Sequence, residues 1–245
     1  VIEWAAQDIG GRVPLAVTIA GETPQAQTQL ARSAERSGAD WLVLQPPQSY
    51  KPDEAALMHF FGDVMEATQL AVGVQNFPEV LGVGLSPEGV GALHRQHDNF
   101  TVMKGEGPVY QIRRYLDASN GEIGIFNGRG GFELPDNLRA GCAGIIPAPD
   151  CMDVQVGMHQ AFVAGNHERM DTLYARTLPY VVFIMQSVSF ALAYGKRIAA
   201  RRIGLDETTR SRDDSVKVDA FGLERLNAHA AWLDCTSVGG TAGGI

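Results

Sequence analysis

Along roughly the first 150 positions, short continuous apolar runs alternate with longer segments whose apolar residues recur every three or four places. The runs at 13–19, 41–45, 70–75, 100–104, 121–126 and 143–146 are rich in Val, Ile, Leu and Phe and predict strands. Their unbroken hydrophobicity is that of strands covered on both faces. The segments between them predict helices: the second half of one over 1–9, then 24–37, 53–67, 86–97, 108–118 and 133–139. Thr23, Asp53 and Ser86 are placed as N-caps, with Pro24 and Pro87 at the first helical position. Gly10 and Gly38 close the helices before them.

From Asp153 onward the pattern predicts only helices, over 154–164, 167–195 with a break or kink near Pro179, 196–203 and 221–233. The expected organisation is therefore an α/β region over 1–152, a set of C-terminal helices over 153–235 and a flexible Gly-rich tail over 236–245. Six strands alternating with helices at roughly 25–30-residue spacing fit two architectures. One is an open doubly wound sheet; the other is a (β/α)8 barrel without its first two strands. In both, ligands bind at the carboxyl ends of the strands, where Thr18, Gln45, Gln75, Lys104 and Asn127 stand. Because Val1–Ile9 reads as the latter part of a helix, the sequence is expected to start inside a domain.

Composition narrows the function. The net charge of −8 argues against nucleic acid as a partner, and no apolar run is long enough to span a membrane. Three cysteines, Cys142, Cys151 and Cys235, are too few and too irregular for a metal site or a disulfide framework, so a reducing cytoplasm is expected.

The candidate chemistry centres on Lys104, which follows an apolar strand directly and precedes Gly105-Glu106-Gly107-Pro108. A lysine that emerges from a dry strand end can serve as a nucleophilic amine and form a Schiff base with a carbonyl. The same position also suits a lysine whose stem packs while its head reaches water. Glu106, two residues on, could pair with it or move a proton. Gln75-Asn76-Phe77-Pro78 could turn amides towards a pocket or form a plain turn. Asn127-Gly-Arg129-Gly-Gly131 could cradle an anion or simply turn. The six histidines fall on predicted helices, as does Lys196, a rival lysine.

Taken in order, Gly11-Arg-Val-Pro14, Gly38-Ala-Asp40, Pro46-Pro47 with Lys51-Pro52, Asn76-Phe-Pro78, Lys104 and Gly141-Cys-Ala-Gly144 resemble the dihydrodipicolinate synthase/N-acetylneuraminate lyase family. The resemblance implies a (β/α)8 barrel with added C-terminal helices, in which the strands here are the third to the eighth. It implies a Schiff base of Lys104 with pyruvate or a 2-keto acid, no cofactor or metal, and a homotetramer. The family's Gly-Thr-Thr-Gly-Glu loop, which binds the keto-acid carboxylate, is not in this sequence, and its catalytic tyrosine is replaced by Gln75. At Gln75 and at Lys104-Gly-Glu-Gly-Pro108 the chain is similar to the branch that dehydrates 2-keto-3-deoxy sugar acids, notably 2-keto-3-deoxy-L-arabinonate dehydratase. The implied catalytic set is Lys104, Gln75 and Glu106. Thr18, Gln45, Asn76, Asn127, Arg129 and Pro147 are the implied substrate-binding set. A non-catalytic sugar-acid binder, a pyruvate condensation and a phosphate-binding barrel stay open as alternatives.

Overall fold

The structure, a computed structural model, describes residues 1–205 and 215–235. The tail 236–245, expected to be flexible, and the side chain of Cys235 lie outside the described residues. The chain divides into two compact units. The first comprises Val1–Gly128 and Arg139–Gly144; the second comprises Arg129–Leu138 and the chain from Ile145 onward.

In the first unit, strands and helices alternate: α1 Ile2–Ile9, β1 Ala16–Ile19, α2 Pro24–Arg36, β2 Trp41–Leu44, α3 Glu54–Met65, β3 Ala71–Asn76, α4 Pro78–Leu81, α5 Pro87–Gln96, β4 Phe100–Gly105, α6 Val109–Ala118 and β5 Gly124–Asn127. Further along the chain, α7, Leu134–Ala140, and β6, Gly144–Ile145, each span the division between the two units. The strands form one sheet in the order β1-β2-β3-β4-β5-β6, and the registered pairs from β1 to β5 are parallel. The helix starts follow the capping chemistry of the sequence. Thr23, Asp53 and Ser86 accept from the amides of Ala26, Ala56 and Gly89, each worth about 1 kcal/mol. β1 is shorter than its apolar run because Pro14 offers no amide to a ladder, and the Leu15 amide donates to Asp40 Oδ2 at 2.6 Å instead. The stretch expected to be loop after Asn76 contains the single helical turn α4, closed by Gly82 at φ +68°.

The register decides which residues share a face. Val17 and Ile19, Leu42 and Leu44, Val72 and Val74, Met103, and Ile125 face the helices and join Leu57, Phe60, Phe61, Leu93 and Ile112 in one core. Thr18, Val43, Gly73, Val102 and Gly124 form a row across the opposite face. Gln75, Lys104 and Phe126 form the row above it, nearer the strands' carboxyl ends. Trp41 and Phe126 stack on this second face, with ring centroids 6.1 Å apart.

The second unit contains a short 3-10 turn at Arg129–Gly131, then α8 Met152–Val163, α9 His167–Ile184, α10 Val188–Phe190, a π turn at Ala191–Gly195, α11 Lys196–Arg202 and α12 Ala220–Cys235. Its core gathers Met158, Met170, Tyr180, Ile184, Tyr194, Ile198, Leu226 and Leu233. Of the break or kink expected near Pro179, the break does not occur. Proline removes one donor, but burial of Thr177, Tyr180 and Val181 holds α9 together through it. The chain bends instead by 106° between Ile184 and Val188, where Ser187 caps the next turn by accepting from the Phe190 amide. Among the described residues, no single helix is long and apolar enough to cross a membrane.

Two carboxyls near the start of α8 act in opposite directions with pH. Burial raises the Asp153 carboxyl, but hydrogen bonds and the charge of Arg202 outweigh it and hold it below its ordinary value. The two guanidinium nitrogens reach its oxygens at 2.7 and 2.6 Å. Asp150 is raised by burial, against hydrogen bonds from Tyr180 and Cys151. The stability from the Asp153 pair is therefore present above the unfolded carboxyl value of about 4 and is lost as pH falls through the lower folded value. The Asp150 contribution has the reverse sign. Thermal melts of Asp153→Asn should lie below the parent at neutral pH, and the gap should close as pH drops below about 4. A gap that is constant with pH would contradict the assignment.

Candidate active site

Extended backbone turns alternate side chains to opposite faces, so the spacing Lys-x-Glu brings both groups to one side. Lys104 is the penultimate residue of β4 and Glu106 follows the strand directly; the Glu106 amide donates to the Asn76 carbonyl at 2.9 Å, which fixes the turn against β3. Lys104 Nζ lies 3.3 Å from Glu106 Oε2, with the two side chains 23% and 10% exposed. The same carboxylate oxygen accepts from Gln75 Nε2 at 2.6 Å. Gln75 Oε1 in turn accepts from Gln45 Nε2 at 2.7 Å. Four residues from three successive strand ends thus form one line: Gln45, Gln75, Glu106, Lys104. The other oxygen of Glu106 rests on Gly128, where an added Cβ would lie 2.4 Å from Oε1. A side chain at 128 would therefore displace the Glu106 carboxylate. The group juxtaposes an amine with a carboxylate able to take its proton, within the reach that acid–base chemistry needs.

Thr18 lies on the same sheet face, exposed on the edge strand β1. Asn76 and Asn127 do not join this group. They pair in register with Gly105, one position off Lys104, and so face the other way. Both are buried and serve the main chain. Asn76 exchanges two hydrogen bonds with Leu85, at 3.0 and 2.8 Å, and Asn127 Nδ2 donates to the Gly107 carbonyl at 3.2 Å. Their place in the site is to hold the loops after β3 and β4. Arg129 belongs to the second unit, at φ +53°, and its guanidinium pairs with Glu133 at 3.2 Å. The cation offered to an anion in the sequence reading already has a carboxylate beside it. Gly130 and Gly131 continue the left-handed turn at φ +61° and +83°. Pro147 is half-buried in the same unit, beyond β6.

Two residues behind the line escaped the sequence reading. Gln27 on α2 is fully buried, and its Nε2 donates to the carbonyls of Gln45 and Gly21 at 2.7 and 3.0 Å. The signal was present: Gln27 falls on the same helical stripe as Ala31 and Ala34, an apolar face on which a glutamine needs partners. Glu22 accepts from the amides of Gln48 and Ser49 and from the Ser49 hydroxyl, which ties the β1–α2 loop to the β2–α3 loop.

Similar proteins are found both by sequence and by fold. Curated relatives include 4-hydroxy-tetrahydrodipicolinate synthase of Methanoculleus marisnigri, 28% identical over 182 residues, which are 73% of this chain and 62% of the relative. 4-hydroxy-tetrahydrodipicolinate synthase 1 of Halalkalibacterium halodurans is 26% identical over 172 residues, 69% of this chain and 58% of its own length. The chain thus spans about three fifths of these curated relatives. Among solved structures, YagE from E. coli K12, a prophage protein of the dihydrodipicolinic acid synthase family in complex with pyruvate, superposes with a TM-score of 0.85 at 21% identity. That match covers 95% of this chain and 79% of YagE. Dihydrodipicolinate synthase from Thermotoga maritima gives 0.84 at 19% identity, with the same coverage. These likenesses identify the fold as α/β of the (β/α)8 barrel type. The sequence profile of the Dihydrodipicolinate synthetase family matches residues 1–229, and the chain belongs to that family.

Proposed function

We propose that this protein is a class I Schiff-base lyase acting on a 2-keto acid, with Lys104 as the amine and Glu106 as the proton-moving group. The reading rests on one observation above the rest: Lys104 Nζ sits 3.3 Å from a carboxylate that Gln75 holds in place at 2.6 Å. Family membership supports the coarse class. For the substrate, the reading favours a 2-keto-3-deoxy sugar acid, because Gln75 replaces the family's tyrosine and Lys104-Gly-Glu-Gly-Pro108 resembles the dehydratase branch.

In the proposed sequence, the proton on Lys104 passes to Glu106 and the free amine attacks the C2 carbonyl. The carbonyl oxygen, protonated once by the attacking amine and once by Glu106, leaves as water; an iminium forms and Glu106 is again a carboxylate. That cation draws electrons from C3, so Glu106 can take a C3 proton and leave an enamine. In dehydration the enamine pair returns, the C4–O bond breaks, and the hydroxyl departs as water with the proton Glu106 holds. In aldol cleavage, Glu106 takes the C4 hydroxyl proton instead, and the C3–C4 bond breaks to an aldehyde and an enamine of pyruvate. After cleavage Glu106 returns its proton to C3 of the enamine, and hydrolysis of the imine restores Lys104 in either case. Gln75 cannot relay a proton as a phenol does, so its part is to orient the carboxylate. Thr18 is the proposed substrate contact on this face, and a homotetramer is the proposed assembly.

A second reading, pyruvate condensation, is favoured by the name shared by the curated relatives. Product analysis separates the three. Dehydration yields a product lighter by one water and no pyruvate, cleavage releases pyruvate, and condensation consumes it. Absence of all three, together with no borohydride-reducible adduct on Lys104, would remove the lyase.

A further inference from the structure

We infer that Gln45 is a positioning residue: its amide sets the direction of the Gln75 amide, and through it holds the Glu106 carboxylate beside Lys104. The inference rests on the proposed lyase reading and deepens it. The argument uses only donor and acceptor identities. An ionised carboxylate can only accept, so the Gln75 group 2.6 Å from Glu106 must be its NH2. The Gln75 oxygen then faces Gln45 at 2.7 Å, and Gln45 must answer with its own NH2. The whole line is polarised from the carboxylate outward, whichever way an amide is drawn in coordinates. Gln45 is anchored at its other end: its carbonyl accepts from the buried Gln27 at 2.7 Å, and its amide donates to the Ile19 carbonyl at 2.9 Å. A freely rotating Gln75 could turn its oxygen on Glu106 and push the carboxylate off the lysine. The Gln45 NH2 disfavours that turn, because it would leave two donors facing each other.

The polarity gives a test that a packing role would not pass. Gln45→Glu keeps the shape but presents an acceptor to the Gln75 oxygen; Gln45→Met keeps the length and presents neither donor nor acceptor. At a pH where carboxylates are ionised, Gln45→Glu should lower the melting temperature of the full chain more than Gln45→Met does. With Glu106→Gln also present, the line can reverse, since an amide at 106 can donate, and the extra loss should vanish. In activity, Gln45→Met should lower kcat about tenfold, the effect of one oriented hydrogen bond, with KM for the keto acid little changed. Equal and additive losses for the two variants would overturn the inference, and so would an unchanged kcat in Gln45→Met. A Gln45→Glu chain that folds only alongside Glu106→Gln counts as coupling; if it folds in neither background, the kcat of Gln45→Met decides. Borohydride trapping on Lys104 is run in parallel. Trapping without coupling or kcat loss removes this inference alone, whereas coupling without trapping removes the lyase and the catalytic meaning of Gln45 with it.

Discussion

Incubated with pyruvate or a 2-keto-3-deoxy acid and then reduced with borohydride, the protein should gain mass on the peptide carrying Met103-Lys104-Gly105. Lys104→Ala should lose both the label and turnover, the latter by several orders of magnitude, because no other amine takes the place of a covalent nucleophile. Lys104→Arg should be equally inactive: a guanidinium keeps its proton and its pair with Glu106 but cannot attack. That variant separates charge from nucleophilicity, since it preserves the ion pair and removes only the reactive amine. Lys196→Ala should retain the label; Lys196 starts α11 and belongs to the second unit. Label that persists in Lys104→Ala would remove the proposed chemistry and promote the sugar-acid binder.

The position of Lys104 near a strand end was legible in the sequence because two local signals agree there, an apolar run that predicts a strand and a Gly-Pro break that ends it. The same logic made Thr23, Asp53 and Ser86 readable as caps, since capping depends on a residue and the amides just after it. The expected helix and strand ends drifted where the deciding partner was distant in sequence. β1 starts late because the Leu15 amide goes to Asp40, 25 residues on. Pro179 was read as a break because its cost is local, whereas the burial that offsets it comes from the whole second core. Asn76 and Asn127 were named with Gln75 and Lys104 because all stand at strand ends. Position along a strand is visible in sequence, but face depends on register, and a one-residue offset turns a side chain to the other side. The line from Gln27 through Gln45 to Glu106 joins α2 and three strand ends; no spacing rule within one element could announce it.

Gly128 carries the second large expected effect. Replacing it with alanine would put a Cβ 2.4 Å from Glu106 Oε1, well inside contact distance. The carboxylate side chain can move more readily than the backbone that ends β5, so the strain should be relieved by Glu106 leaving Lys104 and Gln75. Gly128→Ala should therefore reproduce the activity loss of Glu106→Gln, about 10²–10⁴-fold in kcat, the usual contribution of a placed proton-transfer group. Its stability cost should be that of modest overpacking, about 1–3 kcal/mol. Trapping with borohydride should survive more slowly in both variants, because the amine is still present. Glu106→Asp shortens the acid by one methylene, so combining it with Gly128→Ala should make room for the new methyl. The double variant should then turn over faster than Gly128→Ala alone, although Glu106→Asp by itself is slower than the parent. A double variant that loses the full product of the two single effects would show that Gly128 acts through the backbone of β5 and not through the carboxylate it touches.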